Sequence, residues 1–175
     1  MKKVSIVSLL LALLLIILSA CGGNVKKEET VTPEISEEKS CEISLYFASS
    51  DGMTLAEEKR EITYTDEKDI PQAALDELIN GPENKENSPV LDKKSEILSV
   101  KITNGNADVE LSEEFLGLNT GGTFKEFFAI YSITDTLTSL DGINTVTFSI
   151  NGENVTEFGS YYLDVPCEKD LSFAD

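Results

Sequence analysis

The stretch "ILSVKITNGNADVEL", residues 97–111, decides how this chain folds. Asn104-Gly105 sits between two runs of alternating apolar residues, the mark of a two-residue type I′ β-hairpin. If Thr103 faces Asn106, then Ile102 faces Ala107, Val100 faces Val109 and Leu98 faces Leu111, all on one side. On the other side Lys101 faces Asp108, an opposite-charge pair that adds a few tenths of a kcal/mol, roughly, across strands. A slip of one residue would send the two apolar sets to opposite faces, so the register is specified.

Beyond the hairpin, "SEE" closes the strand with a turn, and a helix follows "SEEFLGLNTGG". Thr123 and Glu126 have capping-box spacing. Phe127, Ile130, Tyr131, Thr134, Leu137 and Leu140 follow at helical intervals, with Phe124, Phe128 and Ile133 widening the stripe. Such a helix lies across a sheet as the main core element. Asp141-Gly142 ends it, and "NTVTFSING" reads as a strand with Val146, Phe148 and Ile150 inward and a turn at Asn151-Gly152. The tail "SYYLDVPCEKD" suits a short edge strand, because Pro166 cannot donate to a central ladder.

On the N-terminal side, Ile43, Leu45 and Phe47 alternate with polar neighbours in "EISLYFAS", and "KREITYT" puts Ile62 and Tyr64 on one face. Both read as strands. In "DIPQAALDELINGP", Asp69 and Gln72 have capping-box spacing, Pro71 suits a first turn, and Leu75, Leu78 and Ile79 share a side. Gly81 can close this helix in a left-handed conformation, and Pro82 forbids its continuation. Residues 82–95 form a polar loop. The expected fold is a single α+β domain with two helices packed on a mostly antiparallel sheet of about five strands.

Ahead of the folded body stands a leader. Met1-Lys2-Lys3 is basic, Val4 to Ala20 is nearly all apolar, and Leu18-Ser19-Ala20-Cys21 places small residues before a cysteine. That is the exit of a secretory signal, and it looks like a bacterial lipobox whose cysteine receives lipid. A permanent membrane helix is the alternative on length alone, although Gly22-Gly23 supplies no basic stop-transfer cluster. The expected division is a signal peptide over 1–20, a flexible tether over 21–40, a domain over 41–168 and a tail over 169–175. The tether, "GGNVKKEETVTPEISEEKS" after Cys21, holds too few aliphatics to offset the entropy of ordering. The implied location is the outer face of the cytoplasmic membrane, with Cys21 the lipid attachment.

Thirty-two acidic residues against 14 basic give a formal charge of −18, and removing Lys2 and Lys3 with the leader takes it to −20. Nucleic acid is excluded as a partner, since its binding rests on cations that neutralise phosphates. Acidity serves solubility, or it meets a basic surface on another envelope or membrane protein. Once Cys21 is set aside, Cys41 and Cys167 remain as an even pair in an exported chain and form a candidate disulfide. A bridge closing so long a loop would contribute about 4–5 kcal/mol in the chain-entropy model. Two free thiols are the alternative.

The chain has no histidine, which excludes histidine-dependent triads and histidine-ligated metals. No CxxC, nucleophile elbow or phosphate loop occurs. Gly121-Gly122 before a helix could hold an anion, but reads better as a turn into the helix. Asn104, Asn106, Asp108 and Glu110 alternate like calcium ligands, yet Val109 stands where the loop needs glycine and Phe115 where it needs glutamate. Glu113-Glu114 belong to the strand exit. A two-carboxylate glycosidase is permitted by residue type, though no tryptophan is present to build a sugar platform. No catalytic residue, metal or cofactor is assigned.

"ISLYFAS", "ALDELINGP", "ILSVKITNGNADVELSEEF", Gly-Gly-Thr leading into a helix, and "DTLTSLDGINTVTFSINGE" together resemble the GerMN domain of sporulation and spore-germination lipoproteins. The resemblance runs over residues 42–153. It implies a compact module without known catalytic residues, similar in layout to ring-building modules and active in assembling envelope complexes. The family's namesake carries two such domains, and this chain has room for one. The function expected is a non-catalytic, lipid-anchored interaction module. The alternatives are a lipoprotein binding a peptidoglycan fragment or small solute, and a hydrolase using Asp or Glu.

Overall fold

The computed structural model describes residues 37–170, so the leader and Cys21 lie outside the described residues. The element order is β1 (Lys39–Ala48), β2 (Leu55–Tyr64), a 3-10 turn (Glu67–Asp69), α1 (Ile70–Asn80), β3 (Ile97–Thr103) and β4 (Asn106–Leu111). Then come α2 (Glu114–Asn119), α3 (Thr123–Thr138) and β5 (Thr145–Ile150). Three two-residue strands close the chain: β6 (Glu153–Asn154), β7 (Glu157–Phe158) and β8 (Tyr161–Tyr162). This is a compact α+β domain.

The hairpin forms as its turn dictates. Asn104 and Gly105 have φ of 52° and 82°, the two left-handed residues of a type I′ turn. Gly105 is required twice over, because a Cβ there would meet the Asn144 side chain at 2.6 Å. Its carbonyl accepts the Asn144 and Thr145 amides, which sets the start of β5. Thr103–Asn106, Ile102–Ala107, Lys101–Asp108 and Val100–Val109 pair as the alternation predicts. Below Ser99 a bulge intervenes, and Leu111 faces Ile97 instead of Leu98. Ile97 is therefore buried while Leu98 is 59 % exposed. The extra residue turns every later side chain over.

The strands divide into three ladders: β1–β2, β3–β4–β5–β6 and β7–β8. The four-stranded sheet is mixed, since β4 and β5 run parallel from Asn106–Thr145 to Leu111–Ile150. A parallel pair needs a long crossover, and α2 with α3 supplies it. α2 falls in a segment to which no helix was assigned, just past the turn expected at "SEE", and fully buried Phe115 anchors it. The loop over 82–95, expected to be polar throughout, buries Val90 and Leu91 and bridges Ser88 to Ala48.

Past its exposed first turn, α3 is covered on nearly every side. Phe127 to Ile130 and Ser132 to Leu137 are buried, including Thr134, Asp135 and Thr136 at 0 % exposure. It packs against β1, α1 and β5, so it is a central helix and not a one-sided lid. Neither expected capping box forms. Asp69 makes no cap bond, and Gln72 instead donates to Asp76 and the Ile97 carbonyl. Thr123 lies inside α3 behind Gly122. The Glu126 carboxylate accepts from the Gly121 amide and reaches across to the Ser160 amide. These two donors hold its pKa below the usual carboxylate range.

β1 begins at Lys39, inside the expected tether. Beyond residue 168, Lys169 donates to the Tyr46 hydroxyl at 2.7 Å and the Asp170 amide to Asp135 at 3.2 Å. The tail does form an edge, with Cys167 and Val146 exchanging backbone bonds beside β5.

Candidate functional site

A groove runs between the first half of β1 and the outer edge of β3. Cys41, Glu42 and Ile43 form one wall, and Leu98, Val100 and Ile102 the other. The turn before α1 and the segment after α3, with Leu140 and Ile143, complete it. It encloses about 1080 Å³ and is open to solvent. Its floor is aliphatic and its rim acidic, with Glu42, Glu67, Asp69 and Asp141. Lys68 lines it as well but is held by Asp66 at 2.7 Å.

β3 ends the four-stranded sheet, so its outer edge has no strand beside it. Ile102, counted toward the core by alternation, is 44 % exposed. The hairpin did predict its pairing with Ala107; what the sequence does not reveal is that nothing covers it.

Cys41 stands opposite Ile62 on β1, and Cys167 lies against β5 beside Tyr131 and Thr145. Both are free thiols. Burial pushes the pKa of each upward, with Thr134 pulling Cys167 the other way. Thiols so shifted stay protonated near neutrality and are poor nucleophiles.

The alternating Asn106, Asp108 and Glu110 serve the sheet. Asn106 exchanges side-chain bonds with Thr145 and Thr147. Asp108 and Glu110 both accept from the Ser149 hydroxyl. The Gly121 amide before α3 is already taken by Glu126. Among the described residues, no cluster of His, Cys, Asp or Glu is placed to hold a metal.

Asp135 is the acidic group that the sequence reading passed over. Burial pushes its pKa to about 6, while the Asp170 amide and Lys169 pull it down. One carboxylate oxygen accepts from Asp170, and the other has no hydrogen-bond partner. Its signal in the sequence was a lone acid inside the apolar run from Phe127 to Leu137.

The molecule is thus a mixed α+β module with a groove between strand edges. Residues 44–156 match the profile of the Germane family, described as sporulation and spore germination, and the chain belongs to that family. Among solved structures it is similar to a candidate lipoprotein from Clostridium perfringens, at 26 % identity and a TM-score of 0.52 over 74 % of this chain and 88 % of that one. It is also similar to the first GerMN domain of the sporulation protein GerM from Bacillus subtilis, at 23 % identity and a TM-score of 0.56, covering 75 % of this chain and 96 % of that domain. The tandem GerMN domains of the same protein align at 22 % identity and 0.58, covering 76 % of this chain and 46 % of theirs. The two GerM likenesses establish the shared fold, and this chain spans about half of the tandem. No curated protein matches in sequence.

Proposed function

We propose that the chain is a non-catalytic module, tethered by lipid on Cys21 to the outer face of the bacterial cytoplasmic membrane, that docks other envelope or membrane proteins in sporulation or germination. The observation that carries this reading is the open edge of β3 beside an apolar groove in a domain of this family. An uncovered strand edge is a template for pairing with another chain, and natural proteins blunt such edges unless they use them. The lipobox-like Leu18 to Cys21 and the likeness to a candidate lipoprotein support the anchor. The half-buried thiols, with pKa values raised by desolvation, give no support to nucleophilic catalysis.

The test uses the full chain expressed in its own cells, as wild type and as Cys21→Ser. Lipid label should enter the wild type alone, and the variant should appear in the medium. Cross-linking in intact cells should join the wild-type chain to membrane proteins. A small ligand retained in native mass spectrometry, without any cross-linked protein, would replace this reading with the ligand-binding one. An intact, unacylated leader would remove the lipid anchor.

A further inference from the structure

The groove has backbone on both walls. On β1 the even-numbered residues face away from β2: the Tyr46 amide donates to Thr136, and Ala48 exchanges bonds with Ser88. By the alternation of an antiparallel strand, Glu42 turns its N–H and C=O the same way. Neither has a partner among the described residues. On β3, Thr103 and Asn106 flank a two-residue turn and pair directly, so Thr103 and Lys101 point their amides and carbonyls at β4. Val100 and Ile102 then point theirs outward, beside Glu42 across the groove.

We infer that the groove is a strand-addition site for an extended segment of another protein in which Lys or Arg alternates with aliphatic residues. The inference rests on the docking reading above and names its surface. Such a segment would pair with Val100 and Ile102 on one side and Glu42 on the other, joining two ladders into one sheet. Backbone bonds give affinity in this mode and alternate side chains give specificity. Its aliphatic side chains would meet Ile43, Ile70, Leu140 and Ile143. Its cations would meet Glu42, Glu67, Asp69 and Asp141, since the lining lysine, Lys68, is already paired. Charge also argues against a second copy of this chain as the occupant, because each copy carries −18 with its leader and −20 without it.

The probe is a capped octapeptide of alternating Lys with Val or Thr, labelled for anisotropy, added to the full chain in detergent micelles. A Glu-for-Lys counterpart serves as control. The basic peptide should bind and slow hydrogen exchange at Val100 and Ile102, and the acidic one should bind at least tenfold more weakly. Ile102→Pro deletes one outward N–H without touching the β4 ladder and should weaken binding at least tenfold at an unchanged urea midpoint. If the proline lowers that midpoint, Ile102→Lys decides in its place, since it keeps the amide but sets a cation against the probe. Absent binding, equal binding of the acidic peptide, protection elsewhere, or wild-type affinity in the deciding variant would overturn the inference. The cellular cross-linking separates the two readings. Partners joined equally by wild type and the deciding variant would keep the docking reading and remove this groove from it. No partner at all would remove the docking reading itself.

Discussion

β1 and β3 are both strands with a ladder on one side only, yet their outer edges have opposite fates. Along β1 from Ser44 onward the outward backbone is taken up by the fold: Thr136 accepts the Tyr46 amide, Ser139 donates to the Ser44 carbonyl, and Ser88 bridges Ala48. Ile43 to Ala48 are buried without a break. Along β3 the Gln72 side chain reaches the Ile97 carbonyl, and beyond it the edge is bare, with Leu98 and Ile102 in solvent. An unpaired edge is thus not a docking surface by position alone. What lies against it decides, and here α3 is spent on β1.

The largest contrast is expected in the side chains that hold each hairpin. The Arg60 guanidinium on β2 is 8 % exposed and binds Glu58, the Glu77 carboxylate, and the Glu77 and Gly81 carbonyls at the end of α1. Arg60→Ala takes the cation from Glu58, which keeps only the Glu83 and Asn84 amides, and should cost about 3 kcal/mol. Lys101→Ala on β3, an exposed residue, should cost less than about 0.5 kcal/mol. Leu45→Ala and Leu98→Ala repeat the comparison without charge, at about 2–5 kcal/mol for the fully buried leucine and within about 0.5 kcal/mol for the exposed one. Urea midpoints measure all four, and a costly Leu98→Ala would show that β3 is covered after all.

The difference between the hairpins was only half legible in the sequence. Asn104-Gly105 and the alternation around it specified the turn and four of the pairs, because those are short-range constraints. The bulge was invisible, since Leu98, Val100 and Ile102 keep the alternation through it. The stripe on α3 announced a core helix. That Asp135 and Thr136 would also be buried depended on the segment around Asp170 and on β1 closing over them, and no local pattern encodes that. The same holds for the parallel pairing of β4 with β5. The groove was the least legible part, because it is a gap between two ladders set by the packing of α1 and α3. Cys41 was read as a candidate disulfide partner and Glu42 as the start of a strand, neither as the wall of a groove.

Asp135 sharpens the contrast on the covered side, because it sits beside Thr136 in the turn of α3 packed on β1. Its folded pKa, raised from 3.8 to about 6, means that the native state holds the proton more tightly than the unfolded chain does. Stability therefore falls as pH rises from about 3.8 to 6, and the full cost persists above that window. Asp135→Asn keeps an oxygen for the Asp170 amide and should stabilise the protein at pH 7–8 by up to about 3 kcal/mol. The gain should vanish below about pH 4. A gain independent of pH would mean that relief of a buried charge is not the cause.

A comparison within the backbone tests the edges themselves. Thr136→Val is nearly isosteric and removes the hydroxyl that accepts the Tyr46 amide, leaving a buried donor on β1 unpaired at a cost of about 1–3 kcal/mol. Ile102→Pro deletes a donor outright on β3, normally the harsher change. Because that amide faces solvent, stability should change by less than about 1 kcal/mol, the residue being an edge position where proline is tolerated. The milder substitution should thus do the greater damage. That inversion follows only if one edge is spent on folding and the other is kept free, and equal losses at both sites would mean that β3 pairs with something in the isolated domain.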